Sequence, residues 1–222
     1  MIETALLEQL LLEYAAGSLH PAQSFMVTMH MAISPAARRK VSSYEALGGR
    51  VICDEQPAAL QEGCLEAVLR KIDDCKGDAP CPPARQALDC SLNIPEPLYS
   101  LLCAHRTDDA LCWTRLAGGA DGLELRICHT PQRGTLRLMR LPAGGTTPPH
   151  RHRGSEITLV LEGGYRDCSG HYRRGDIVII RDEGYSHSPV ADEDGCLCLI
   201  LTEAPLRFHA PLQRLLNLFR RM

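Results

Sequence analysis

The 222-residue sequence predicts an α+β chain: a small helical bundle over residues 1–73, a linker over 74–96, and a β-barrel domain over 97–222. Three observations predict it. Up to Asp73 the apolar residues recur at helical spacing, in stretches opened by Pro and closed by Gly. Residues 74–96 then turn rich in Pro and polar residues and lose any long period. Beyond them, short apolar or alternating runs are punctuated by Gly, Pro and Asp, the pattern of a sandwich or barrel.

The helices follow in order. Ile2, Leu6, Leu7, Leu10, Leu11 and Tyr14 share one face of a first helix over residues 2–16, which Gly17 ends. Pro21 can open a second helix, running to about Ile33 and carrying Phe25, Met26, Met29 and His30. Pro35 opens a third, expected to reach Leu47 and stop at Gly48-Gly49. A fourth over Leu60–Asp73 sets Leu60, Cys64, Val68 and Ile72 on one face, with Leu65 and Leu69 beside them. Helices this short cannot bury their stripes alone, so they must pack together or clasp a partner. In the linker, Ala84–Leu88 can form one helical turn, and Cys75, Cys81 and Cys90 show no chelating spacing.

Strands are expected at Cys112–Leu116, Leu123–Cys128, Thr135–Leu141, Glu156–Glu162, Tyr165–Cys168, Asp176–Arg181 and Cys196–Thr202, with a Gly-Gly turn at Gly163-Gly164. The tail Pro211–Arg221 returns to a helical pattern, with Leu212, Leu215, Leu216 and Phe219 on one face. Nothing repeats internally, so one barrel is expected.

One stretch carries chemistry. In GGTTPPHRHRGSEITLVLEG, His150 and His152 lie two apart on a strand and face the same way, while Arg151 and Arg153 face the other. Gly154-Ser155 can turn Glu156 back towards the same centre, and His187, at the end of GDIVIIRDEGYSHSP, can arrive from a neighbouring strand. Three imidazoles and one carboxylate make a metal site, whose residues are His150, His152, Glu156 and His187.

Composition bounds the rest. Charged residues are 23% of the chain and the formal net charge is −3, which does not fit the basic footprint of a nucleic-acid binder. The 11 cysteines include no Cys-x-x-Cys pair. Glu3, Glu8 and Glu13 interrupt the leading leucines, and no apolar run reaches the length of a membrane span. The expectation is a reduced cytoplasmic protein with free thiols, in which Cys196 and Cys198 share one strand face as core residues.

The spacing from Gly144 through His150, His152 and Glu156 to Gly163 matches the first cupin motif, and Gly175 with Gly184-x-x-His187 approximates the second. The second motif lacks its usual proline and has a turn one residue longer. The C-terminal part therefore resembles the cupin superfamily, which implies a double-stranded β-helix (jelly-roll) barrel with the metal in its mouth. A second resemblance runs the whole length. EYAAGSL in the first helix, SYEALGG closing the third and the ending CLCLILTEAPLRF are similar to ChrR-type anti-sigma factors.

That resemblance implies a helical half gripping an ECF-type sigma factor and a cupin half responding to singlet oxygen or organic peroxide. It also implies zinc on His150, His152, Glu156 and His187, with manganese, iron or nickel as the alternatives. The family's helical zinc site, His-x3-Cys-x2-Cys, does not carry over. His30 is kept, but Ser34 and Ala37 stand where the thiolates belong, and no His precedes His20. One barrel metal per chain is expected, and His30 is expected to be a core or helix-face histidine rather than a ligand. The alternative is a metal-dependent cupin enzyme (dioxygenase, isomerase or decarboxylase) with a helical dimerisation domain. Arg137, Arg140, Tyr165 and His171 would be its pocket candidates.

Overall fold

The computed structural model describes residues 4–74, 93–104, 111–125, 134–152, 154–181, 184–204 and 207–208. Their contacts form two compact units, Met1–Glu45 with Asn93–Met222, and Ala46–Leu92. The first two helices belong with the barrel strands, and the cut falls inside the third helix.

In the larger unit, α1 (Thr4–Ala15) ends where Gly17 takes φ +68°, and α2 (Pro21–Ile33) starts on its proline. α3 (Pro35–Cys53) opens with Ser34 Oγ accepting the Ala37 N–H at 3.3 Å, a side-chain cap on its first turn. It continues through Gly48-Gly49, contrary to the expected stop. Neither glycine has a positive φ, so their cost of about 1 kcal/mol each is absorbed rather than terminating the helix.

α5 (Glu96–Ala104) buries Leu98 and Leu102 at the start of the stretch that the sequence assigns to the barrel domain. Its first residues follow Pro95, and two amides, those of Leu98 and Tyr99, bond back to the Pro95 carbonyl. The tail helix, the helical turn at Ala84–Leu88, and Cys75, Cys81 and Cys90 lie outside the described residues.

The strands are β1 (Thr114–Arg115), β2 (Asp121–Leu125), β3 (Thr135–Leu141), β4 (His150–Arg151), β5 (Glu156–Asp167), β6 (Gly170–Arg173), β7 (Ile177–Ile180), β8 (Ser186–His187), β9 (Val190–Thr202) and β10 (Arg207–Phe208). One sheet of seven strands runs β1-β2-β3-β9-β5-β6, with β7 also on β5; a second runs β10-β4-β8, and every pairing is antiparallel.

The expected Gly-Gly turn is absent. β5 runs on through Gly163 and Gly164, with register shifts on either side against β9. Gly163 holds φ +64°, and a Cβ there would collide with the Gly195 carbonyl oxygen, so the bulge requires glycine. The turn falls instead at Cys168-Ser169, and makes the β5–β6 hairpin that the sequence reading missed.

β5 is buried on both faces from Glu156 to Leu161, which explains its unbroken apolar run. The inner face stacks Val160 with Val178, Cys196, Cys198, Tyr165 and Tyr172. The Cys196 and Cys198 thiols lie 3.2 Å apart in that core. The outer face carries Ile157, Leu159 and Leu161; Ile157 and Leu159 are register-matched to Leu201 and Leu199 on β9 and to Ile179 and Ile177 on β7, and Leu161 falls in the register shift against β9. α1 packs on β7, and α2 packs on β5 and β9. Met26 and Met29 are fully buried there, each a contribution of roughly 1.5–3 kcal/mol.

The smaller unit comprises the end of α3 and α4 (Cys64–Asp74). No residue of α4 is buried.

Candidate metal centre

β4 sets His150 inward and Arg151 outward, and His152, one residue past the strand, points inward again. β8 pairs with β4 so that His187 stands directly across from His150. Glu156 opens β5 on the inner face, two residues before Thr158. All four predicted residues are buried: His150 4% exposed, His152 3%, Glu156 5%, His187 6%.

The three imidazoles converge through the same atom. His187 Nε2 is 2.9 Å from His152 Nε2 and 3.0 Å from His150 Nε2. Each Nδ1 faces a different acceptor: the Pro148 carbonyl at 2.8 Å for His150, Glu156 Oε2 at 3.2 Å for His152, and Asp167 Oδ2 at 3.1 Å for His187. A carbonyl can only accept, so His150 carries its proton on Nδ1. Two carboxylates impose the same tautomer on the other rings. Three Nε2 lone pairs are then aimed at one another, which is repulsive unless a cation lies among them. Nitrogens about 2.0–2.1 Å from one tetrahedral zinc would sit about 3.3 Å apart, a few tenths beyond these separations. The donor set fits a metal, with its outer partners already in place.

The electrostatics agree. Burial, reinforced by the His150 and His187 rings, pushes His152 down to about 3. It is neutral at neutral pH, and its contact with Glu156 is a hydrogen bond rather than an ion pair. Burial pushes the Glu156 carboxyl up to about 7, against the nearby His187 and the Thr158 hydroxyl donating to Oε1 at 3.2 Å. A divalent cation would reverse that shift. Burial also acts to raise Asp167, but hydrogen bonds from His187, the Ser169 hydroxyl and the Ser169 amide outweigh it and hold the carboxyl well below its usual range.

The ligand atoms lying within 4.8 Å of one another are those of His150, His152 and His187 alone among the described residues. Glu156 stands beside His152. Asp167 was not singled out from the sequence. It lies eleven residues past Glu156 at the far end of β5, in no recognised motif, and only the hairpin brings it under His187.

The other candidates lie elsewhere. Tyr165 is in the core, its ring 5.1 Å from that of Tyr172. Arg140 lies over the Trp113 ring and pairs with Asp121, Arg137 pairs with Glu124, and His171 bonds Asp192 at 2.7 Å. His30 is buried in α2, bonded to the Gly175 backbone and with no partner for Nδ1 among the described residues. Ser34 caps α3, and Ala37 is buried.

Comparison with known proteins adds to this geometry. The sequence profile described as the ChrR Cupin-like domain matches residues 104–205. The anti-sigma-E factor ChrR of Cereibacter sphaeroides is 36% identical over 216 residues, covering 97% of this chain and 96% of the relative. The crystal structure of Rhodobacter sphaeroides SigE in complex with the anti-sigma ChrR contains a chain 33% identical, matched over 88% of this chain and 96% of that one, with a TM-score of 0.67. An acetylacetone dioxygenase from Acinetobacter johnsonii is similar at 15% identity, over 48% of this chain and 76% of that one, with a TM-score of 0.39; at that level it says nothing of this chain's activity.

Proposed function

The chain belongs to the ChrR family of anti-sigma factors, and from that membership we propose that it holds an ECF-type sigma factor away from RNA polymerase, with the barrel metal centre as its signal-responsive part. The observation that carries the partner role is an apolar surface that the described residues leave exposed. In the smaller unit Leu47, Val51, Ile52, Leu60, Leu65, Val68, Leu69 and Ile72 are all exposed, Ile52 by 73% and Ile72 by 56%. Leu65, Val68, Leu69 and Ile72 recur at helical spacing on one face of α4, the form in which an amphipathic helix is read by a protein partner. A surface of this kind marks an interaction site, and the solved relative is a sigma complex.

His150, His152 and His187 hold the metal in this proposal, and Glu156 supplies the negative charge that a divalent cation needs in a dry site. Zinc is the proposed ion, since neutral imidazole nitrogens suit it; iron, manganese and nickel are distinguished from it by elemental analysis. A cation held there by His150 on β4 and His187 on β8 would tie the two strands together, and Glu156 would offset part of its charge. The chain's own part is to keep three imidazoles neutral, oriented and shielded from water. No described helix is long and apolar enough to cross a membrane, and the proposed site of action is the cytoplasm, where sigma factors work.

The test is transcription in vitro from a promoter read by the cognate sigma factor. The full chain should suppress it in proportion to the complex formed, and a chain that forms no complex and leaves transcription unchanged would sink the proposal.

A further inference from the structure

Asp167 accepts five hydrogen bonds from described residues. Oδ1 accepts the Ser169 amide at 2.8 Å, the Ser169 hydroxyl at 2.7 Å and the Gly170 amide at 3.3 Å, which fixes the β5–β6 turn. Oδ2 accepts from His187 Nδ1 at 3.1 Å and from the Tyr185 hydroxyl at 3.3 Å. The Asp167 side chain is 1% exposed. One oxygen therefore shapes a turn and the other faces a metal-site imidazole.

We propose that Asp167 is a positioning residue of the metal centre: its Oδ2 holds the His187 proton on Nδ1, so that the Nε2 lone pair faces His150 and His152 ready for a cation. This rests on the metal reading above and deepens it. A neutral imidazole has one N–H, and whichever nitrogen keeps it cannot ligate. His187 shares its metal-facing Nε2 with two other rings that have no proton to spare, so the tautomer decides whether the third ligand exists. The carboxylate sets it because an ionised carboxylate can only accept.

Asparagine makes the consequence testable. In Asp167→Asn the amide oxygen can still accept the Ser169 and Gly170 donors and keep the turn. The amide nitrogen then faces His187 and donates to Nδ1, which moves the imidazole proton to Nε2 and blocks the ligand. Metal affinity should fall about 10–100-fold, the usual effect of losing an outer partner of a ligand histidine. Ser169→Ala weakens the turn through the other oxygen and frees the Tyr185 hydroxyl, which also donates to Ser169 Oγ at 2.8 Å, to bond Oδ2 alone; Oδ2 still accepts from His187 Nδ1, so affinity should stay within about threefold of wild type.

The experiment is zinc affinity by competition with a chromogenic chelator for wild type, Asp167→Asn, Ser169→Ala and His187→Ala, together with the nitrogen-15 NMR tautomer of His187 in the metal-free wild type. The expected result is Nδ1–H in the wild type, with Asp167→Asn weakened towards His187→Ala and Ser169→Ala unchanged. A wild-type His187 protonated on Nε2 overturns the inference even if the asparagine variant fails to fold, and so does an asparagine variant that folds and binds zinc like wild type. Failure of the underlying metal reading looks different: wild type and His187→Ala then bind zinc equally weakly.

Discussion

His150 and His187 are register partners across β4 and β8, and their Nε2 atoms are 3.0 Å apart. Two strands of two residues each thus meet at a pair of proposed ligands. Replacing His150 and His152 together with Ala should abolish metal binding at the barrel, because one imidazole and one carboxylate are too few for a tight site. Elemental analysis after gel filtration checks this; full occupancy in the double variant would mean that the ion is held elsewhere.

One tightly bound metal per chain is expected, not two. Ser34 caps a helix and Ala37 is buried, so neither can join His30 in a zinc site. α1 and α2 are held by Leu10, Met26 and Met29, buried where these helices pack on β5, β7 and β9. Circular dichroism of the full chain should therefore show unchanged helix content on chelation. A large loss of helix would reveal a second site built from other residues.

Glycines in this chain should divide by conformation. Gly163→Ala places a Cβ against the Gly195 carbonyl at φ +64°. It should cost at least about 2 kcal/mol and distort the β5 bulge. Gly48→Ala meets nothing within 4 Å in a helix and should stabilise by about 0.5–1 kcal/mol. Thermal melts of the two variants give the signs directly.

His30 should add a pH dependence. Burial lowers its pKa, against the Gly175 backbone bond and the charge of Asp176. A histidine depressed in the folded state binds its proton more readily when unfolded. Its contribution is intact above the unfolded value of about 6.5 and is lost as pH falls below it. Between about pH 8 and about pH 5, wild type should lose more stability than His30→Leu. An equal loss in both would show that His30 does not titrate differently on folding.

Sequence and structure agree most closely where the spacing is rigid. Two residues apart on a strand is enough to set His150 and His152 on one face, and the Gly-x-x-His turn delivers His187. Asp167 was illegible because its role depends on a hairpin whose turn, Cys168-Ser169, carries no strong turn signal. The Gly163-Gly164 pair was misread for a related reason: a positive φ serves a bulge as well as a turn, and only the approach of Gly195 decides between them. α3 outran its glycines because the penalty for each is small. The periodicity of α1 and α2 showed an apolar face but not what covers it, and part of that cover is the outer face of the barrel strands.

The smaller unit's apolar face is proposed to receive the sigma factor, in a contact that does not draw on the metal-centre residues. The most direct measurement is the affinity of the full chain for its sigma factor by calorimetry, in wild type, in Leu65→Glu with Leu69→Glu, and in His150→Ala with His152→Ala. The helix variant should lose at least about tenfold in affinity, the effect of a charge in an apolar anchor, and the metal-site variant should still bind. A helix variant that binds as wild type does would contradict the account.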